Sequence, residues 1–114
     1  MLATISRHAE HPATTPAGSS KEAPLVVVEV VNDIDADTAP LLRTVLAHTI
    51  RHNRRVCCDL SQAAFLGADA VNTLSAACAD ADQAGSVFTV RGVHGFGVRV
   101  FQITGLDDFL ASRA

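Results

Sequence analysis

Asp69 lies in the segment Gly67-Ala68-Asp69-Ala70, where an apolar run ending at Leu60-Ser61 turns through small residues into helical spacing at Val71, Leu74, Cys78 and Ala81. A carboxylate placed there meets the unpaired amides of a helix N-terminus. Two roles are open to it: capping the helix, or presenting a regulatory negative charge at that N-terminus. Asn72 adds an amide at the start of the same helix. A second acidic turn, Asn32-Asp33-Ile34-Asp35-Ala36-Asp37, precedes another helical segment. There Asp35 or Asp37 can stabilise the turn or cap the helix.

The remaining reactive side chains form weaker constellations. Cys57 and Cys58 are adjacent in a strand and must point to opposite faces, so only one of them can share a layer with Cys78. A thiol switch competes there with the plainer reading of buried, structural thiols. Three cysteines with no CxxC pattern make neither a disulfide framework nor a zinc signature. His48 and His52 have the i, i+4 spacing of a metal pair, but their helix supplies no third ligand, and no metal site is expected. Gly92, Gly95 and Gly97 lack the Gly-Lys-Ser/Thr ending of a phosphate loop and suit a connection that needs positive φ. His8, His11 and His94 have no recognisable triad partner, so neither catalysis nor a cofactor is expected.

The elements that must position these groups alternate in type. Leu2–Ser6 allows a short strand, and the stretch from Ala9 to Pro24, with three of the four prolines, reads as a flexible Pro/Thr/Ser-rich segment. Leu25–Val31 is β-branched and almost continuously apolar, as a strand covered on much of both faces would be. A helix is expected from near Thr38, with Pro40 in its first turn and a stripe formed by Leu41, Leu42, Val45, Leu46, Thr49 and Ile50. Val56–Leu60 and Ser86–Arg91 read as further strands. Gly85 is placed to stop the second helix, and Gly105 to stop a short third one bearing Val98, Phe101 and Ile103. Strands alternating with helices imply an α/β domain built from crossovers.

Composition narrows the function classes. The chain has 114 residues, 48% of them hydrophobic, with no Trp or Tyr, and is long enough for one domain with one core. A net charge of −3, with nothing more basic than Arg54-Arg55 in sequence, argues against nucleic acid and anionic membranes as partners. No apolar stretch approaches the roughly 20 residues of a membrane span, and no basic-then-apolar leader is present, so a cytoplasmic location is expected.

Three separated segments together resemble the STAS family of anti-sigma factor antagonists. Val27–Arg43, with Asn32-Asp33-Ile34-Asp35 in its turn, is similar to the family's strand, turn and first helix. The run from Asp59-Leu60-Ser61 to Leu74 is similar to its Asp-Leu-Ser strand and phosphorylation turn, and Gly92–Leu110, with Thr104-Gly105-Leu106, to its third helix and Thr-Gly-Leu ending. The resemblance implies a mixed sheet of about four strands with helices mainly on one face. It divides the chain into a segment 1–24 and a STAS-like domain 25–114 that is short at its C-terminus, since the family usually continues into a last strand and helix.

By the same resemblance the protein is a non-catalytic regulator that binds a kinase-type anti-sigma factor, a partner that ends the interaction by phosphorylating a serine. The implied partner surface comprises Asp35, Gly67, Ala68, Asp69 and Asn72. The family's Asp-Ser-Ser-Gly turn places its phosphoacceptor at Asp69, so the acceptor hydroxyl is missing here and the usual switch is not expected. Asp69 can mimic the phosphoserine only in part, because a carboxylate carries one charge and a phosphoserine about −1.5 to −2 with three strong acceptor oxygens. Ser61, Thr73 and Ser75 are nearby hydroxyls for which surface or structural roles are the plainer reading. The competing functional classes are a subunit of a larger STAS assembly, including a homo-oligomer, and a small-ligand sensor.

Overall fold

In a computed structural model that describes residues 4–10, 24–63 and 67–110, the chain forms a four-stranded sheet of order β1 (Thr4–Glu10), β2 (Leu25–Val31), β3 (Arg55–Gln62) and β4 (Val87–Arg91). Strands β2, β3 and β4 are parallel, while β1 pairs antiparallel with β2, so the sheet is mixed as expected. Helices α1 (Ala39–His52) and α2 (Ala68–Ala84) are the two crossovers. Because both connections advance in the same direction across the sheet, the shared handedness of such units puts both helices on one face. Helix α3 (Phe96–Thr104) and a 3₁₀ turn, Leu106–Phe109, follow β4, and Leu110 then makes a single parallel bridge to Val90.

One core lies between the sheet and the helices. Val28, Val30, Val56, Cys58, Leu60, Phe88 and Val90 supply its sheet side, Leu42, Leu46, Ile50, Leu74 and Ala77 come from α1 and α2, and Phe101 from α3. Each fully buried Leu, Ile or Phe of this set stabilises the fold by about 1.5–3 kcal/mol relative to exposure. In α1 the buried positions are Ala39, Leu42, Leu46, Thr49 and Ile50. Leu41, expected in that stripe, is 63% exposed, because one step along a helix turns the side chain by about 100° away from the line through Leu42, Leu46 and Thr49. In α3 only Phe101 is fully buried among the three expected apolar residues, and Ile103 is 77% exposed.

Strand β1 extends past Ser6 to Ala9 and Glu10, into the stretch read from sequence as flexible, and His8 lies within the strand. Seven consecutive pairings, from Thr4 with Val31 to Glu10 with Leu25, hold it in place, and the ladder outweighs the absence of an apolar period. Most of the remaining Pro-rich stretch, and His11, lie outside the described residues.

The second face of the sheet carries an ion network. Asp59, only 8% exposed, accepts the Ser61 N–H at 2.9 Å through Oδ1 and Arg91 Nε at 3.0 Å through Oδ2. The other guanidinium nitrogens of Arg91 donate to Glu10 Oε1 and Oε2 at 3.1 and 2.9 Å, and Glu10 Oε2 also meets His8 Nε2 at 3.1 Å. The register between β2 and β3 slips by one residue after Glu29–Asp59, which leaves a bulge at Leu60-Ser61. The Asp59 carboxylate satisfies the Ser61 amide at that bulge. Gly92 packs directly on it: with φ at +78°, it would carry a Cβ only 2.6 Å from the Ser61 nitrogen. Gly85, the αL cap of α2, also has positive φ, but a Cβ there would meet nothing within 4 Å.

The two glycines separate backbone strain from collision. Gly85→Ala is expected to cost about 1 kcal/mol, the left-handed conformation alone. Gly92→Ala should cost about 3 kcal/mol, because the β3 bulge must move as well, and urea denaturation of the two variants reads the difference. Acid supplies a second test. Hydrogen bonds from Arg91 and then His8 hold the Glu10 carboxyl down from 4.5 to about 2. Burial pushes the Asp59 carboxyl up, but the Ser61 and Arg91 hydrogen bonds outweigh it and leave it lowered. Both groups titrate lower in the folded chain than in the unfolded one. Their stabilisation is therefore complete above the ordinary carboxylate range and is lost as pH falls, for Glu10 between 4.5 and about 2. Glu10→Gln should flatten this acid limb in urea midpoints measured across that window.

Candidate functional site

The loops that follow β2 and β3 both leave the C-terminal ends of parallel strands, the edge at which open α/β sheets place their binding sites. The first runs from Asn32 to Thr38. Asn32 takes the left-handed conformation, with φ at +76°, and its N–H donates to the Gln62 carbonyl at 3.0 Å, tying this loop to the end of β3. Asp35 then organises the entry to α1. Its Oδ1 accepts the Asp37 N–H at 3.0 Å, the Thr38 N–H at 2.9 Å and the Thr38 hydroxyl at 3.0 Å, while its carbonyl accepts the Ala39 N–H at 2.8 Å. The backbone and side-chain bonds from Thr38, with the Asp37 amide, lower the pKa of this carboxyl. Asp35 is exposed, yet one of its carboxylate oxygens is committed to its own loop.

The second loop enters α2 differently. Gly67 occupies the N-cap position in extended backbone, Ala68 is the first helical residue and Asp69 the second. Asp69 therefore does not cap α2, and no side-chain cap bond forms there. Its carboxylate stands exposed in the first turn, where a negative charge is favoured by the helix dipole by about 0.3–1 kcal/mol. A side chain that spends no bond on its own helix keeps its acceptor oxygens for another molecule.

Packing of α1 against α2 brings the two loops together. A shallow groove of about 330 Å³ runs between the helix starts, with Ala36, Ala39, Pro40 and Arg43 on one wall and Asp69, Asn72 and Thr73 on the other. Asp69 and Asn72 thus share one site. Gly67 and Ala68 lie beside it on the same turn, half-buried and exposed respectively, and Asp35 is joined to it through its neighbour Ala36. Arg43 was not singled out as a site residue from sequence. It puts a cation in the same groove as Asp69, with no ion pair between the two. Only the pairing of two helices distant in sequence reveals that placement. Thr73 is buried in the groove lining, and Ser61 and Ser75 are exposed outside it.

The other reactive groups lie elsewhere. The His48 and His52 rings stack at 4.3 Å on the last turns of α1, and His52 Nδ1 is bonded to the His48 carbonyl at 2.8 Å. His94 Nε2 donates to the Ala63 carbonyl at 3.1 Å, tying the connection after β4 to the end of β3. Cys57 and Cys58 are both buried on opposite faces of the sheet. Burial raises the pKa of both, and it raises Cys78 to about 11 with help from Asp82. None of these thiols is activated as a nucleophile.

Comparison with known proteins matches this geometry to a family. Residues 19–111 match the family model described as "Mlab, STAS domain". No curated protein sequence matches the chain. Among solved structures, an anti-sigma factor antagonist from Mycobacterium paratuberculosis is similar at 25% identity and a TM-score of 0.68, over 94% of this chain and 83% of that one. The Bacillus cell fate determinant SpoIIAA in its phosphorylated form is similar at 13% identity and a TM-score of 0.66, over 96% and 92% of the two chains. The anti-sigma factor antagonist SpoIIAA in its unphosphorylated form is similar at 11% identity and a TM-score of 0.61, over 86% and 83%. At such identities the two SpoIIAA likenesses speak to the fold.

The two aspartates should separate cleanly on replacement. Asp35→Ala removes three hydrogen bonds at the start of α1 and is expected to lower the thermal midpoint, with Asp35→Asn recovering most of the loss. Asp69→Ala removes no bond and should cost no more than the dipole interaction, about 0.3–1 kcal/mol, as read by circular-dichroism melting.

Proposed function

The chain belongs to the STAS family, and from that premise we propose that it is a non-catalytic, cytoplasmic protein-binding regulator of the anti-sigma factor antagonist kind, whose partner is a kinase-type anti-sigma factor. The partner docks on the two helix starts, with Asp35, Gly67, Ala68, Asp69 and Asn72 at the contact. The observation that carries this reading is the groove between α1 and α2, which joins two loops that sequence resemblance had marked separately, 34 positions apart at Asp35 and Asp69. Shape and charge are what such a surface offers: small residues at the start of α1, an acid and an amide on α2, and Arg43 opposite them.

With aspartate at the position of the family's acceptor serine, the usual covalent switch has no hydroxyl to act on. Asp69 supplies a fixed single charge at a helix N-terminus in place of a charge that comes and goes. Binding is therefore constitutive at this position, and no transfer of phosphate to residue 69 ends it.

The test is binding to a kinase-type anti-sigma factor of the native host, measured by calorimetry with and without ATP, with phosphate mapped by mass spectrometry. A complex whose affinity ATP leaves unchanged is expected for the parent chain, and Asp69→Ser should acquire phosphate at residue 69 and then release the partner. Asp69→Lys should weaken the complex at least tenfold, about 1.4 kcal/mol, if the carboxylate is at the contact. No complex with any such kinase, or a phosphate on the parent chain that ends binding, overturns the reading.

A further inference from the structure

The face of the sheet turned away from the helices holds a second organised feature, in which a long-range ion bridge covers an apolar row. Register fixes its geometry. Glu10 stands opposite Leu25 at one end of the sheet, and Arg91 stands opposite Asp59 at the other end. Between these ends lies the row His8, Val27, Cys57 and Thr89. A bridge from Arg91 to Glu10 must therefore run diagonally across that row. Val27 is 0% exposed and Cys57 1%, although neither belongs to the core beneath the helices.

Strand β1, which carries Glu10, is held by little else. None of its seven residues is buried, and only Ile5 and Glu10 are half-buried. Apart from the ladder to β2, half-buried Ile5 packs against the core, and Arg7 Nη1 reaches the Thr49 hydroxyl at 3.4 Å, longer than an ordinary N–H···O bond. Segments with few buried apolar contacts open locally at a free energy well below that of global unfolding. Strands β2, β3 and β4 are joined to one another by their own crossovers, and no residue of β1 is among the buried residues of the core.

We infer that β1 is a clasped strap: it opens as a unit while the rest of the domain stays folded, and the Glu10–Arg91 bridge governs how often it does so. Opening frees the edge of β2 and uncovers Val27 and Cys57. The charged and titratable groups around the clasp are His8 and Glu10 on β1, Glu29 on β2, Arg55, Cys57 and Asp59 on β3, and Arg91 on β4. Asp59 keeps Arg91 in place when Glu10 departs, so the clasp can close again on a preset guanidinium.

Site-resolved alkylation of the full chain reads the opening, with Cys57 as reporter and Cys58, the neighbour facing the helix-side core, as control. Glu10→Gln removes one charge of a part-exposed pair and leaves the Asp59–Arg91 contact intact. It should raise the Cys57 labelling rate about fivefold, the equivalent of about 1 kcal/mol, with Cys58 unchanged. Deuterium uptake across Thr4–Glu10 should rise in the same variant while uptake in α1 and α2 stays at the parent level. An unchanged Cys57 rate overturns the inference, and so does a parallel rise of Cys57 and Cys58, which signals global opening. Arg91→Lys, which retains the charge but loses the two-pronged geometry, should fall between the parent chain and Glu10→Gln.

Discussion

A nearly buried carboxylate at position 59 is the constraint around which the sheet is organised. An ionised group there is tolerable only if its oxygens are met, since leaving a buried charge unpaired costs several kcal/mol on the order of 3–5. Asp59 meets that demand with one bond of each kind available to it: a backbone amide from the bulge on its own strand and a guanidinium from the neighbouring strand. The first bond stabilises the departure from regular pairing that redirects the chain toward α2. The second orients Arg91, whose remaining donors reach the far edge strand. Gly92 lacks a side chain because the bulge occupies the space where one would go. One carboxylate thereby couples the end of β3, the end of β4 and β1.

The two acidic residues at the helix starts show how backbone geometry divides one side-chain chemistry into two roles. Asp35 precedes its helix by several residues, in a turn that folds three donors onto a single oxygen. Asp69 is already inside its helix, where its own backbone is helical and the side chain projects outward. The first is a structural fastening that happens to be exposed. The second is an exposed charge without a fastening, and it shares a groove with Asn72 and with the cation of Arg43.

Much of this architecture can be read from local pattern. The β-branched run of β2, the glycine stops at Gly85 and Gly105, and the Pro40 helix start are decided by near neighbours, and they fall where expected. The Asp-Leu-Ser segment is recognisable in sequence, but the reason for its aspartate is not, because Arg91 stands 32 positions away. Strand β1 escaped full recognition for the same reason: its partners are a strand beyond the Pro-rich stretch and an arginine 81 positions along the chain. Leu41 misled because an apolar side chain at the flank of a stripe looks identical in sequence to one at its centre. Arg43 carries no local mark at all, since its placement beside Asp69 depends on how α1 and α2 pack.

The separation of 81 positions between Glu10 and Arg91 also orders events in time as the chain is made. Among the described strands β1 leaves the ribosome before the others, and its pairing partner β2 follows it. The arginine that clasps it emerges only when β4 has been synthesised. Until α1 and β3 have emerged, β1 and β2 form at most an isolated two-stranded ribbon, an arrangement marginal in water, with apolar β2 side chains lacking their helices. Closing so long a loop costs entropy that is repaid only once the parallel core exists. The charged and polar side chains of β1, Ser6, Arg7, His8 and Glu10, then serve the nascent chain as well as the finished one, because they keep its outermost edge a poor template for pairing with other chains while the clasp is still unmade.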